Sequence, residues 1–420
     1  MTASKRGTAG RKTPGRKTAA RPAKRGPAAI APVNRRARAL LLELLKIPGA
    51  SGREEEIIGW IVERLLGAGA AGGDLHRDRA HLRSPYKGSA GNLALVLPGT
   101  APGPRRMLSA HVDTVPLCEG ARPIVAGDFI VPADKATALG ADDRCGVAAV
   151  LQAALEILQQ GLPHPPLTCL WTVQEEVGLQ GARCCAAGML GRPKLAFNFD
   201  GGSSEKLTIG ATGGYRLDIR IEGIASHAGN APEKGVSAVA IASLAVAQLQ
   251  KKGWHGLIRK GRHRGTSNLG AIQGGGATNV VAPLVEIRAE ARSHDPAFRR
   301  QIVAAIENEF QAAAGQVKNV DGRRGKVSIE GRLDYEAFRL DEDEPCVLLA
   351  EEAIRRDGGK PERAISNGGV DANWFHARGI PTVTLGCGQV NPHTAAERVC
   401  LPEFDRAVRV ALWLAVGQAG

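Results

Sequence analysis

The 420-residue chain has no run of apolar residues long enough to cross a bilayer, although 43% of it is hydrophobic. Near its N terminus there is also no apolar stretch of the kind that forms the core of a secretory signal. Its eight cysteines are scattered, with none of the paired spacings of zinc fingers, and several lie inside apolar runs. These absences argue against a membrane protein and a disulfide-stapled secreted domain. They lead to the expectation of reduced, buried thiols in a cytoplasmic protein. Acidic residues are missing from positions 1–33, which hold nine Lys or Arg, so most of the net charge of +13 is local and the rest of the chain carries only +4. The same segment lacks aromatics and has almost no large apolar side chains, the composition of a disordered tail. Contact with nucleic acid through phosphate neutralisation is open to it, but it carries no base-reading element.

What remains is enough for two domains. From residue 34 to 212 helical spacings ("RRARALLLELLKI", "GVAAVLQAALEILQQG") alternate with short apolar strands ("NLALVLPG", "RRMLSA", "LTCLWTV", "KLAFNF"). Buried apolar strands separated by helices predict a mostly parallel sheet with helices on both faces, an α/β catalytic domain. Between 213 and 332 the texture becomes β-α-β-β-α-β, a split pattern that predicts an inserted α+β, ferredoxin-like domain. Tyr215, Leu217, Ile219 and Ile221 alternate onto one face of its first strand, and Asp295 followed by Pro296 opens its second helix. The α/β texture resumes over 333–420.

Ligands of an open parallel sheet gather beyond the carboxyl ends of its strands. After "MLSA" come His111 and Asp113, and after "LTCLWTV" come Glu175 and Glu176. Asp200 follows "KLAFNF", and His393 lies beyond "TVTLGCG". The glycine-flanked "LGADDRCG" adds Asp142 and Asp143. Taken singly, each has an ordinary explanation: a satisfied turn, a solvated face, a helix cap. Five segments delivering only His, Asp and Glu to one sheet edge call for positive charge. Two imidazoles and several carboxylates without a thiolate suit two divalent ions, Zn2+ first, with Co2+ or Mn2+ also suited. Such a pair activates a water and polarises a carbonyl.

The motifs "SAHVDTV", "LGADDRCGVAAV", "VQEEVGLQGAR", "NFDGG", "SHAGNAPEKGVSA", "GATNVVAP", "EARSHD" and "NPHTAAER" occur in this order. Together they resemble the peptidase T-like co-catalytic zinc exopeptidases, relatives of carboxypeptidase G and the aminoacylases, over almost everything beyond residue 38. The resemblance implies that His111 and Asp200 hold one metal, Glu176 and His393 the other, and that Asp142 bridges them. It implies Glu175 as general base on the bridging water, with Asp113 orienting His111. Spacing alone does not distinguish Glu175 from Glu176. The inserted domain is implied to be a lid that in relatives also forms a dimer surface, so a homodimer through it is an expectation. His227 matches the lid histidine that stabilises the oxyanion, and Asn279 and Arg292 match positions that grip a substrate carboxylate. Arg144 and Cys145 stand where relatives commonly have Lys and a small residue. Cys118 and Cys387 lie near the motifs and are read as buried small side chains.

Three activities follow as alternatives. The first is release of the N-terminal residue from short peptides, tripeptides in particular. The second is hydrolysis of N-acyl amino acids, or carboxypeptidase action, on the same site. The third is of another class: a nucleic-acid-associated protein acting through its basic tail.

Overall fold

The computed structural model describes residues 1–2 and 30–417; the disorder expected for residues 1–33 falls mostly outside them. The first helix, Ile30–Leu44, begins four residues before the expected domain start and already buries Val33. It packs with the C-terminal helix Leu401–Val416 against a central helix, Ala141–Gln160. That helix is alanine- and valine-rich and buried from Arg144 to Ile157. A Leu, Ile or Phe fully buried in such a core contributes about 1.5–3 kcal/mol.

These helices cover a nine-stranded sheet. Its middle is parallel: Arg106–His111 lies between Leu167–Thr172 and Leu195–Phe199, and Thr382–Leu385 continues beside Leu195–Phe199. Leu93–Leu97 and Lys206–Ala211 flank this middle in antiparallel pairing. The four parallel strands are almost entirely buried because both faces are covered. Their carboxyl ends therefore open on one edge, and each is followed by a site segment. A small antiparallel sheet of four strands, Gln389–Val390, Arg398–Cys400, Phe129–Pro132 and Pro123–Ala126, was not legible in the sequence and fixes the segment that carries His393.

The inserted unit is the expected α+β lid with one strand more than the sequence pattern predicts. Its five-stranded antiparallel order is Gly256–Lys260, His263–Gly274, Leu284–Ser293, Gly213–Glu222 and Lys326–Tyr335. The additional strand, Gly256–Lys260, forms a hairpin with the next one. Helices Ala238–Lys251 and Pro296–Gln316 cover one face, with Phe298 and Phe310 of the second helix in one core with Leu217, Ile219, Ile221 and Ile287 of the sheet. Asp295 caps the second helix by accepting from the amides of Ala297 and Phe298, with Pro296 at the first helical position. The last lid strand runs to Tyr335, three residues past the expected boundary, by way of a bulge between Leu333 and Tyr335.

Candidate active site

At the carboxyl edge of the parallel strands Asp113 organises the neighbourhood. It is fully buried; one oxygen accepts from the Glu175 amide at 2.9 Å, the other from Ser51 Oγ at 2.6 Å and the Glu176 amide at 3.2 Å. One carboxylate thus fixes the backbone of both adjacent glutamates and directs their side chains into the cleft. The turn before them holds Gln174 in the left-handed region at φ 56°, an uncommon conformation for a residue with a side chain. Asp113 also stands beside His111, whose Nδ1 lies 3.1 Å from its backbone oxygen and 3.5 Å from its carboxylate.

His111, Asp142, Glu176 and His393 come together. Asp142 turns one oxygen to His111 Nε2 at 3.1 Å and the other to His393 Nε2 at 3.3 Å, while His393 Nε2 also reaches Glu176 at 2.8 Å. Asp200 also lies close to His111. Ligand atoms of His111, Asp143 and Asp200 lie within 4.8 Å of one another, as do those of His111, Asp142 and Glu176. His111 therefore belongs to both groups, whereas the family resemblance implies that it shares one metal with Asp200 and the bridging Asp142 and stays apart from Glu176. Asp143 stands in the first group, but its oxygens already accept from the His111 and Gly146 amides at 3.2 and 3.0 Å and from Gln389 at 3.0 Å. It acts as a brace.

The electrostatics are those of an acidic cluster short of positive charge. Burial, then the neighbouring Asp142, pushes Asp200 up to about 7. Burial raises Glu175, with Asp200, Asp371 and Glu176 adding to the effect against His111. Burial raises Glu176 as well, despite His393. Burial opposes charge on His111, but the carboxylates of Asp113 and Asp142 outweigh it and raise its proton affinity. His393, between Asp142 and Glu176, is raised to about 10. Carboxylates that share protons and imidazoles that retain them form a donor set of oxygen and nitrogen atoms suited to divalent cations, and the residues fit that role.

Three contributors escaped the sequence reading. Glu397, 1% exposed, accepts from the amides of Leu139, Gly140 and Asp142 at 2.7, 2.7 and 3.1 Å, and so shapes the loop that presents Asp142. Gln389 directs Nε2 at Asp142, Asp143 and Asp200 over 3.0–3.4 Å. Ser51 holds Asp113 from a loop far away in sequence. Glu397 and Gln389 lie within eight residues of His393, and that proximity was the available signal. Ser51 had none. Cys118 and Cys387 are buried, as expected.

The lid residues lie apart from this cluster. His227 is exposed, and its Nδ1 accepts from the Gly229 and Asn230 amides at 3.1 and 3.0 Å. Asn279 is exposed, and its backbone oxygen accepts from Ala228 at 2.8 Å, so the two candidate segments are tied to each other. The Arg292 fork is engaged by Glu290, with Nε and Nη2 each donating at 3.0 Å. No hydrogen bond among the described residues joins any of the three to the carboxylates.

Comparison with known proteins gives a consistent picture. The family model described as "Peptidase family M20/M25/M40" matches residues 107–415, a span that includes all of these candidates. The uncharacterized protein YqjE of Bacillus subtilis is 30% identical over 372 residues, 88% of this chain and 95% of its own. A tripeptidase from Staphylococcus aureus superposes with a TM-score of 0.81 at 31% identity, covering 91% of this chain and 97% of that one. Aminopeptidase PepT from Bacillus cereus does so with 0.77 at 30% identity, over 91% and 98%.

Proposed function

Because this chain belongs to peptidase family M20/M25/M40, as a peptidase T-like metallopeptidase, we propose that it is a two-metal exopeptidase releasing the N-terminal residue of short peptides, tripeptides above all. The observation that supports this most is Asp142, whose two oxygens face different imidazoles, as a carboxylate shared between two cations requires. His111 and Asp200 would hold one ion, Glu176 and His393 the other, with Asp142 common to both; Zn2+ suits this set, as do Co2+ and Mn2+. Bound there, such ions supply a more acidic water and a polarised scissile carbonyl.

The chain's own groups do the rest. The Glu175 carboxylate takes a proton from the attacking water and returns it to the leaving amine, so one water is consumed for each peptide bond broken. Asp113 holds Glu175 in place through its amide. On His227, two amides donate to Nδ1, so the ring proton resides on Nε2 and is free to donate to an oxyanion when the lid closes. Arg292 and Asn279 grip the substrate's C-terminal carboxylate. The outer edge of strand Gly256–Lys260, unpaired among the described residues, favours a homodimer through the lid. Eight unpaired cysteines favour the reducing cytoplasm.

N-acyl amino acids present the same free carboxylate to Arg292, so an amidohydrolase is the second candidate. A panel of free tripeptides and N-acetyl amino acids, assayed with and without chelator, separates the two. We expect chelator-sensitive release of N-terminal residues. Turnover of the blocked substrates alone would exclude the peptidase.

A further inference from the structure

Across the lid sheet, Arg292, Gly214 and Tyr335 are direct neighbours in one row: Gly214 pairs with Arg292 on one side and with Tyr335 on the other. Residues paired in this way point to the same face, the one opposite the lid helices. The two outer members of the row stand about 10 Å apart, two strand spacings. Nothing fills the gap from below, because the middle residue has no side chain. The Tyr335 ring occupies it: a Cβ on Gly214 would lie 2.9 Å from its Cζ and 3.1 Å from its hydroxyl oxygen. From the other side Gly369, in the loop leading to Asp371, leaves room for the same ring, since a Cβ there would be 2.5 Å from Cζ. Two glycines, one on the lid and one on the catalytic unit, thus build a slot for a single aromatic side chain.

Within that slot Tyr335 is 5% exposed, yet among the described residues its hydroxyl has no hydrogen-bond partner. Burial raises its proton affinity, with Arg292 lowering it and Glu290, Asp334 and Glu175 adding to the rise, so the hydroxyl remains a donor. Arg292 is equally unfinished. Glu290 occupies the Nε–Nη2 edge of the guanidinium, while Nη1, at the other edge, has no partner and is not enclosed. A guanidinium has two edges on which a carboxylate fits; here one is used to fix the plane and the other is left open.

We propose that Tyr335 and the open edge of Arg292 form one carboxylate-binding subsite, with Glu290 as the residue that positions the Arg292 fork. The subsite takes the free C-terminal carboxylate of the substrate: the guanidinium binds one or both oxygens, and the tyrosine hydroxyl donates to the oxygen nearest Gly214. This deepens the proposed function and rests on it for the identity of the substrate. The glycine pair makes the subsite rigid and places it where lid and catalytic unit meet, so it senses the length of peptide between that carboxylate and Glu175.

Two variants test this, Tyr335→Phe, which keeps the ring in its slot, and Glu290→Gln, which keeps shape but loses the charge. Each is assayed on a tripeptide and on its C-terminal amide, with melting temperature and bound metal measured alongside. We expect KM for the free acid to rise roughly tenfold with Tyr335→Phe, the value of one hydrogen bond to a charged group, with kcat within twofold. Glu290→Gln should give a similar rise in KM, and neither variant should shift KM for the amide. Equal losses on acid and amide, or a loss confined to kcat, would overturn the subsite. If the wild-type protein cleaves N-acetyl amino acids and no tripeptides, the peptidase proposal falls by itself. The same comparison, made with an N-acetyl amino acid and its amide, then decides the subsite independently.

Discussion

At the scale of single residues, the site depends on carboxylates doing different work because of what surrounds them. Glu175 and Glu176 are adjacent, and Asp113 holds both amides, but only Glu176 meets an imidazole, His393 at 2.8 Å. Glu175 is left without a hydrogen-bond partner for its carboxylate among the described residues, which suits the base proposed for it. Glu175→Ala is expected to retain bound metal and to lose roughly two to four orders of magnitude in kcat, measured by elemental analysis and steady-state assay. Near-normal rates would assign the base elsewhere. Glu397 works one step further out. Its three backbone acceptor bonds hold the loop that begins with Gly140 at φ 80° and presents Asp142. Removing that brace by Glu397→Ala should weaken metal binding by about 10–100-fold, read by titration of metal into chelated protein, whatever the effect on turnover. His111, Asp200, His393 and the Glu175–Glu176 pair were legible because they lie beyond apolar runs, and Asp142 because it sits in a glycine-flanked loop; Glu175 was told from Glu176 only by the family resemblance. Glu397, Gln389 and Ser51 were not, because a residue that acts by bonding to backbone amides leaves no pattern of its own in a sequence.

At the scale of elements, what was legible follows periodicity, and what was not follows from pairing. The parallel strands and both lid helices show in the hydrophobic spacing, and Asp295–Pro296 marks a helix start in two letters. The strand Gly256–Lys260 was missed because its burial is confined to Ile258 and its existence depends on the neighbouring strand. The small sheet around Arg398–Cys400 was missed for the same reason, its strands being two to four residues long. Where elements meet, space is very tight at Gly146, on the central helix just after the Asp142–Asp143 pair. A Cβ there would lie 2.0 Å from the backbone oxygen of Phe199 and 2.6 Å from Asp143. Neither can yield cheaply, since Phe199 closes a buried strand and is followed by Asp200. Gly146→Ala should therefore destabilise by about 1–3 kcal/mol through overpacking, against the usual gain from alanine in a helix. Denaturant unfolding checks the sign: a stabilised variant would mean that helix and strand separate more easily than their packing implies.

At the scale of the whole molecule, the chain holds two main cores, one around the central helix and one inside the lid, joined through the strand ends at Gly213 and Tyr335. All five candidate metal ligands, His111, Asp142, Glu176, Asp200 and His393, lie on segments outside the lid; the lid contributes none. A cation that binds only the folded catalytic core stabilises that core by mass action, and it also relieves the repulsion among carboxylates that burial already disfavours. The lid gains neither benefit directly. Calorimetry of metal-loaded and chelated protein should therefore show two transitions, of which only the catalytic one moves down on metal removal. A shift of several degrees would correspond to a few kcal/mol in a unit of this size. The lid transition should stay in place and respond instead to Phe298→Ala, which empties the centre of its core at a cost of about 3–5 kcal/mol. If both transitions moved together on chelation, lid and catalytic unit would unfold as one body. The lid could then not open and close over the site as an independent part.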